Sequence, residues 1–311
     1  MGSRTPQSMG PMACAALAVG IGLGACSPGA DDAGAGEEVV DRRARRVVSL
    51  IPAATEILFA LGAGNRLVGR TRWGVHPPEA VGVPDVGDGI RPSLEAVIAR
   101  SPDLVVLFEG PDNEGVAARL ADLGVASLSL RHNSLADLRR NVVALGEAVG
   151  CPAAAAALDA RIAADLGAVA EATRGVDRVR VYYDVWADPP MTIGRGSFLD
   201  SLIALAGGRN VFGHLERPSP RVGLEAIVAG DPDVIVRPIR ADAVDDAPLG
   251  ERAGWETIRA VATNRIVYID ADLLGRLGPR VGEAALGLAA ALHPELRLPS
   301  LPPPERLACP G

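Results

Sequence analysis

The segment from Pro152 to Thr173, PAAAAALDARIAADLGAVAEAT, limits the possible folds of this sequence more than any other. Alanine is the best helix former, and most other residues of the segment also favour a helix. Pro152 suits a first helical position, and Gly175 suits the position just past the end. About 22 residues at roughly 1.5 Å each predict a rod of about 30 Å, close to the diameter of a small domain. Such a rod is either an ordinary surface helix or a rigid connection between two domains.

Similar segments flank this helix on both sides. Residues 94–106 read LEAVIARSPDLVV and residues 224–236 read LEAIVAGDPDVIV, at a constant offset of 130 positions. A second pair, ALGAGNRLVG at 60–69 and ALAGGRNVFG at 204–213, has an offset of 144 positions. Short apolar repeats also arise by chance in a chain rich in Ala, Val and Leu. Two pairs in the same order nevertheless favour two lobes of similar construction, one on each side of the helix.

Short β-branched runs alternate with helical segments in both halves. The expected strands are 46–50, 66–69, 103–108 and 125–130 in the first half, and 178–183, 234–236 and 266–269 in the second. The expected helices are 53–61, 94–100, 116–123, 135–149, 198–206, 224–229, 255–261 and 279–292. This alternation predicts an α/β fold of two lobes, each with a mostly parallel sheet covered by helices, joined by one long rigid backbone helix.

Composition and charge bound the function and the organisation of the chain. Hydrophobic residues make up 48% of the 311 residues, which is sufficient for two cores. The net charge is −7, whereas nucleic-acid binding requires a basic surface, so we expect no nucleic-acid partner. The expected order is a lipoprotein signal peptide at 1–25, an acylated Cys and flexible tether at 26–44, an N-terminal lobe at 45–150, the backbone helix at 151–175, a C-terminal lobe at 176–295 and a Pro-rich tail at 296–311.

The N-terminal residues resemble a bacterial export signal. Arg4 supplies a positive charge, and residues 11–25 are small and apolar but too few to span a bilayer. The sequence LGAC, which ends at Cys26, resembles the lipobox at which bacterial lipoproteins are cleaved and acylated. We therefore expect a lipid anchor on Cys26, followed by a flexible acidic tether. Both would place the folded part outside the cytoplasm, in the periplasm or on the outer cell surface. A plain secretory signal is the alternative.

This processing accounts for two of the four cysteines. Cys14 leaves with the signal and Cys26 is acylated, which leaves Cys151 and Cys309. In an oxidising compartment these two could form a disulfide. Two free thiols are the alternative.

Candidate ligand-binding residues follow the predicted strands. Ligands of parallel α/β sheets lie beyond the carboxyl ends of the strands, and in two lobes those ends would face each other across a cleft. Position alone selects Pro52, Thr55, Arg72, Trp73, Phe108, Glu109, Arg131, His132, Trp186, Arg237, Arg240 and Asp272.

The residue types at these positions indicate a large, flat ligand. Trp73, Phe108 and Trp186 could supply the rigid apolar walls that a macrocycle or chelate requires. Convergence of the nearby arginines would favour an anionic ligand such as a siderophore complex. His132 is either a solvated loop residue or a contact to the metal of a bound haem or corrinoid. None of the four histidines forms a short-spaced pair with another His or Cys, so we expect no metal site of the protein's own.

Five segments together resemble the substrate-binding lipoproteins and periplasmic proteins of cobalamin and ferric-siderophore ABC importers. The resemblance extends from about Arg46 to about His293 and implies two α/β lobes held by one backbone helix. The segments are RVVSLIPAATEILFALGAGNRLVGRTRW with HPPEA shortly after, LEAVIARSPDLVVLF, MTIGRGSFLDSLIALAGGRNVF, LEAIVAGDPDVIV and DADLLGRLGPRV.

The same resemblance suggests which residues line the pocket. Trp73, Phe108 and Asp272 match positions that line the corrinoid pocket of the cobalamin-binding member. Gly89 and Ser219 stand where that protein carries tryptophans, so this chain departs from that pocket at two positions. Trp186 could replace part of the lost ring surface.

The resemblance also implies a protein partner. In this family one acidic residue on each lobe docks to arginines of the permease, and Glu95 and Glu225 match those positions. Each also opens a predicted helix, where the helix dipole alone would favour a carboxylate. The implied partners are an ABC permease dimer with its ATPase and a small-molecule metal chelate, with membrane contact only through the lipid anchor. We expect a monomer with no intrinsic cofactor.

These observations predict a solute-binding lipoprotein that captures a cobalamin or related corrinoid and delivers it to an ABC permease. The alternative within the same fold is a ferric-siderophore or haem receptor. A sensory binding lipoprotein is an alternative of another class. Asp184, Asp270 and Asp272 are the residues that a metal-assisted hydrolase would use. Residues 194–198 resemble neither a nucleophile elbow nor a phosphate loop. We therefore expect no enzyme activity.

Overall fold

Two four-stranded parallel sheets, one on each side of a long helix, form the framework of the computed structural model. The structure describes residues 43–187, 189–240, 249–303 and 306–309. The expected signal peptide, Cys26 and nearly all of the expected tether lie outside the described residues. No described helix is both long enough and apolar enough to cross a lipid bilayer.

Lobe 1 precedes the long helix. Its elements are β1 (Val47–Ser49), α1 (Pro52–Ala60), β2 (Leu67–Arg70), α2 (Leu94–Ile98), β3 (Leu104–Phe108), α3 (Pro111–Asp122), β4 (Ala126–Leu130) and α4 (Leu135–Ala148). Short 3₁₀ turns lie at Gly64–Arg66 and Pro78–Gly82. The strands pair in parallel in the order β2-β1-β3-β4, with Val48 beside Val105 and Leu104 beside Ala126.

Lobe 2 follows the long helix α5 (Pro152–Ala172). Its elements are β5 (Val179–Tyr183), β6 (Trp186–Ala187), β7 (Pro190–Met191), α6 (Phe198–Leu205), β8 (Gly208–Asn210), α7 (Leu224–Gly230), β9 (Val234–Ile239), α8 (Arg259–Ala262), β10 (Ile266–Asp270), α9 (Ala271–Leu274) and α10 (Val281–Leu292). The 3₁₀ turns are Leu249–Glu251 and Trp255–Thr257.

The two main sheets share one strand order. In lobe 2 the parallel order is β8-β5-β9-β10, which repeats β2-β1-β3-β4 strand for strand. The repeated segments at 94–106 and 224–236 become α2 with β3 and α7 with β9, which hold the same places in the two lobes. The expected α/β fold with two parallel sheets covered by helices is confirmed, and β6 and β7 add a small antiparallel hairpin to lobe 2.

Helix α5 is part of the core and is not an ordinary surface helix. Its residues Leu158, Ile162 and Val169 are buried, and it packs against α4 of lobe 1 and α10 of lobe 2. Glycines permit these contacts: a Cβ at Gly146 of α4 would lie 2.3 Å from the Ala155 Cβ. One hydrophobic cluster consequently continues from lobe 1 through α5 into lobe 2, and this shared core supports a fixed connection.

Several predicted elements differ in detail. Helix α3 begins at Pro111 and not at 116, because Pro is well suited to the first turn. The helix expected at 255–261 is divided at Ile258, whose backbone is extended and whose side chain is buried in lobe 2. Strand β8 was not predicted, because Gly208–Asn210 has no apolar run.

The C-terminal tail returns from lobe 2 to lobe 1. Cys309 forms a disulfide with Cys151, which directly precedes α5, and their Cα atoms are 5.2 Å apart. The Leu307 N–H donates to the Ala60 carbonyl oxygen at 2.9 Å. The tail backbone passes so close to Gly62 that a Cβ there would lie 2.2 Å from the Leu307 oxygen. The disulfide therefore closes a loop that contains α5 and all of lobe 2.

Removing this disulfide should destabilise the protein. We expect Cys309→Ser to lower the free energy of unfolding by about 2–4 kcal/mol, because the unfolded chain regains the freedom of a long loop. Urea unfolding with and without dithiothreitol measures the effect. The wild type should lose stability on reduction, whereas the variant should not respond. A wild-type midpoint that reduction does not change would contradict the prediction.

Candidate ligand-binding cleft

A cavity of about 380 Å³ opens between the two lobes. Lobe 1 contributes His132 and Asn133, which follow β4, and lobe 2 contributes the ends of three strands and the start of α6. Among the lobe 2 residues are Tyr183, Val185, Ser197, Phe198, Pro238 and Ala271. The carboxyl ends of the two sheets thus meet at one cavity, where parallel α/β sheets place their ligands.

His132 lies at the cavity between aromatic rings of both lobes. Its ring centroid is 5.8 Å from that of Phe108 in lobe 1 and 6.3 Å from that of Phe198 in lobe 2, with edge-to-face geometry in both pairs. Its Nδ1 atom is buried and has no hydrogen-bond partner among the described residues. Burial lowers the pKa of His132 to about 4, although Asp137 nearby acts in the opposite direction. The imidazole is therefore neutral at pH 7, and in the tautomer protonated on Nε2 its Nδ1 presents a lone pair that no described residue uses.

The lowered pKa of His132 predicts a loss of stability in acid. Below pH 6.5 the unfolded chain protonates His132 and the folded protein does not until about pH 4, so the free energy of unfolding falls across that window. The contribution is at most roughly 3 kcal/mol. His132→Phe keeps the ring packing without a titrating group and should reduce the decline. Urea unfolding at pH 4 to 7 tests this, and an equal decline in both proteins would contradict it.

Trp73 and Asp272 are brought together through arginines of lobe 2. The Arg240 guanidinium carbon lies 4.7 Å from the centre of the Trp73 ring, which is 41% exposed. Asp272 pairs with Arg276 at 2.9 Å and with Arg240 at 3.6 Å. The Arg276 Nη2 also donates to the Trp73 carbonyl oxygen at 2.7 Å. Ala271, adjacent to Asp272, lines the cavity. The cluster of Trp73, Arg240, Asp272 and Arg276 therefore connects the two lobes next to the cavity.

Glu56 of α1 joins the lobes and was missed in the sequence. Its carboxylate is only 3% exposed and accepts two hydrogen bonds from Arg280, one from Nε at 3.1 Å and one from Nη2 at 2.9 Å. Arg276 Nη1 also donates to Glu56, at 3.3 Å. The sequence signal that could have identified this contact was a single acidic residue in an apolar helix, together with two arginines one helical turn apart. The sequence does not show that they pair across more than 200 positions.

Carboxylates neutralise most of the arginines that were candidate anion ligands. Arg131 pairs with Glu109 at 2.8 Å on the exposed surface. Arg237 is only 9% exposed and pairs with Asp184 at 3.0 Å inside lobe 2. The ion pair with Asp184 is sufficient to explain why a buried arginine is present at position 237. Arg72 is exposed, and its backbone N–H donates to the Gly87 carbonyl oxygen.

The two positions that lack the expected tryptophans differ in the space they offer. A Cβ at Gly89 would lie 2.1 Å from the Leu50 carbonyl oxygen, so this backbone excludes any side chain there. Ser219 lines the cavity and leaves room. Trp186 lies in the hairpin after β5, is 63% exposed and is not among the residues that line the cavity.

Glu95 and Glu225 occupy matching, exposed positions. Each lies in the first turn of its helix, Glu95 in α2 and Glu225 in α7. These helices precede β3 and β9, which hold equivalent places in the two sheets. Within the described ranges, no group of three His, Cys, Asp or Glu side chains is arranged to hold a metal ion.

Comparisons with known proteins agree with this architecture. A family model described as periplasmic binding protein matches residues 47–273. The uncharacterized ABC transporter substrate-binding lipoprotein YvrC of Bacillus subtilis is 30% identical over 272 residues, covering 85% of each chain. The cobalamin-binding protein of Halobacterium salinarum is 30% identical over 264 residues, covering 82% of this chain and 71% of that protein.

A solved structure extends the similarity to three dimensions. The periplasmic heme-binding protein RhuT from Roseiflexus sp. RS-1, in its apo form, superposes with a TM-score of 0.72 at 28% identity. The match covers 80% of this chain and 98% of that chain. The family model and these relatives together show that the chain belongs to the periplasmic binding protein family.

Proposed function

We propose that this protein is an extracytoplasmic receptor that captures a bulky metal chelate, a corrinoid first, and delivers it to an ABC permease. The observation that carries the proposal is the cavity at the facing carboxyl ends of the two sheets. The aromatic rings of His132 from lobe 1 and of Tyr183 and Phe198 from lobe 2 line it, and the proposal assigns the exposed indoles of Trp73 and Trp186 to its outer edges. Large rigid walls with few polar anchors suit a flat macrocycle. The similarity to a cobalamin-binding protein supports the same ligand class.

Charge at the cleft favours a ligand with little net charge. An anionic siderophore complex would require unpaired cations, but Arg131 and Arg240 each face a carboxylate, and Arg237 is buried against another. Breaking such pairs to bind an anion would cost part of the binding energy. A corrinoid does not require unpaired cations.

Haem is the second candidate, and His132 is the observation that favours it. His132 lines the cavity, and a neutral imidazole is one of the side chains that bind haem iron as an axial ligand. The structural similarity to a heme-binding protein points in the same direction.

The size of the cavity bears on how such a ligand would sit. A volume of about 380 Å³ is near the lower end for pockets that enclose drug-sized ligands. A macrocycle would therefore stand with one edge between the lobes and the rest toward Trp73 and Trp186. Because α5 shares its core with both lobes, we expect little closure on binding.

The remaining roles follow from the same proposal. Glu95 and Glu225 form a two-point contact with the permease, and a lipid on Cys26 holds the protein at the envelope as a monomer. A sensory receptor would use the same cleft but would not require the two glutamates. Turnover of a bound chelate by the purified protein would instead indicate an enzyme.

A fluorescence titration tests the ligand. Cobalamin, haem, a ferric hydroxamate and a ferric catecholate are added in turn to the purified protein, and Trp emission is followed. We expect saturable quenching by cobalamin, with haem next. The Trp73→Phe/Trp186→Phe variant should lose most of this quenching, because its remaining Trp255 is buried in lobe 2 and packs near Tyr182. Equal quenching in both proteins, or no saturable quenching by any chelate, would contradict the proposal.

A further inference from the structure

A second cavity, of about 620 Å³, lies on lobe 2 alone. It is bordered by β8, the start of β5, the body of α6 and the turn before α6. It shares no lining residue with the cleft. The turn Gly194–Ser197 separates the two sites, since Arg195 faces this cavity whereas Gly196 and Ser197 face the cleft. The cavity is therefore a separate place for a ligand and does not depend on how the lobes are arranged.

Basic side chains dominate the walls of this cavity. Three guanidinium groups and one imidazole line it, from Arg178, Arg195, Arg209 and His214. The carboxylate present, that of Asp200, accepts a hydrogen bond from the Asn210 amide at 2.9 Å. None of the four basic side chains makes an ion pair with any carboxylate in the described part of the chain. This distinguishes the four side chains from Arg131, Arg240, Arg276 and Arg280, which all pair with carboxylates.

Two of the arginines are held in place by backbone carbonyls. Arg178 Nη1 donates to the Ala204 oxygen at 2.8 Å and to the Gly208 oxygen at 3.0 Å. Arg195 Nε donates to the Gly213 oxygen at 3.3 Å. A carbonyl positions a guanidinium without neutralising it, so the remaining N–H groups keep their charge for a ligand. The Arg209 side chain is exposed on the edge strand β8.

We propose that this cavity binds a solute or lipid headgroup that carries a phosphate group. Guanidinium groups match the tetrahedral oxygens of phosphate with two parallel hydrogen bonds each, and a concave wall with three arginines against one carboxylate concentrates such anions. The volume is within the range of small-molecule sites and exceeds what one inorganic phosphate would fill, so the phosphate is one part of a larger molecule. The proposal is independent of the cargo in the cleft.

The test compares two charge-matched variants of the full chain. Arg195→Glu/Arg209→Glu reverses two charges in the cavity, and Arg119→Glu/Arg297→Glu reverses two exposed charges outside it. Isothermal titration with sn-glycerol 3-phosphate examines a free solute. Flotation with vesicles of phosphatidylglycerol or of phosphatidylcholine examines a headgroup. The N-terminal segment is the same in every protein, so differences between variants report on the cavity.

We expect the cavity variant to bind the phosphate probe about tenfold or more weakly than the wild type, and the control variant to bind like the wild type. An effect on sn-glycerol 3-phosphate identifies a free solute, and an effect only on phosphatidylglycerol vesicles identifies a headgroup. Equal binding by all three proteins would overturn the proposal. Equal loss in the cavity and control variants would also overturn it, because net charge alone would then explain the binding.

Discussion

Replacing Glu56 by Gln should lower the free energy of unfolding by about 3–5 kcal/mol, the cost of removing one partner of a buried ion pair. Arg276 and Arg280 would remain largely buried beside a neutral amide, which cannot balance their charge. Because Glu56 belongs to lobe 1 and both arginines to lobe 2, the loss falls on the contact between the lobes. Urea unfolding followed by circular dichroism measures the change.

Glu109→Gln provides a matched control, since Glu109 also pairs with an arginine but on the exposed surface. Its cost should be about 1 kcal/mol or less. If the two variants lost the same small amount of stability, the Glu56 cluster would not join the lobes as described. Hydrogen exchange at α1 and α10 would show whether the loss is concentrated at this contact.

Reversing the charge at both proposed docking positions should abolish uptake of the chelate without changing its binding to the receptor. In the Glu95→Lys/Glu225→Lys variant, lysines would face the cations that the proposal places on the permease, and like charges in contact cost several kcal/mol. We expect uptake of the radiolabelled chelate to fall by roughly 100-fold or more, with unchanged affinity in the fluorescence titration. Cells that depend on this receptor provide the uptake assay.

The matched control again reverses one exposed glutamate on each lobe, as Glu114→Lys/Glu256→Lys. This variant should transport normally, because neither residue occupies the position shared by α2 and α7. Uptake that survives in the docking variant would reject the two-point contact. Uptake lost in both variants would show that overall charge, and not the two sites, governs delivery.

The sequence predicted the repeated framework because its signals are local. The segments at 94–106 and 224–236 each contain an apolar helix, a Pro-Asp turn and a β-branched strand, and each forms those elements. Helix α4 begins at Leu135, as expected, because Ser134 and Asp137 form a capping box. Strand β8 lacks such signals and forms because β5 offers it a pairing edge.

The details of the site depend on contacts between distant residues, which a single sequence does not display. Glu56 and Arg280 are 224 positions apart, and only the packed lobes bring them together. Arg237 was likewise selected by its position near a strand end, and its ion pair with Asp184 is visible only in the structure. His132 was identified by its place after β4, whereas its burial between two phenylalanine rings required the structure.

The most direct test of the receptor account is to locate the metal of a bound chelate by anomalous scattering from a crystal of the complex. The account predicts one cobalt or iron peak between the lobes, with Phe108 and His132 on one side and Phe198 on the other. A metal peak on the outer surface of either lobe, with the space between the lobes empty, would contradict it.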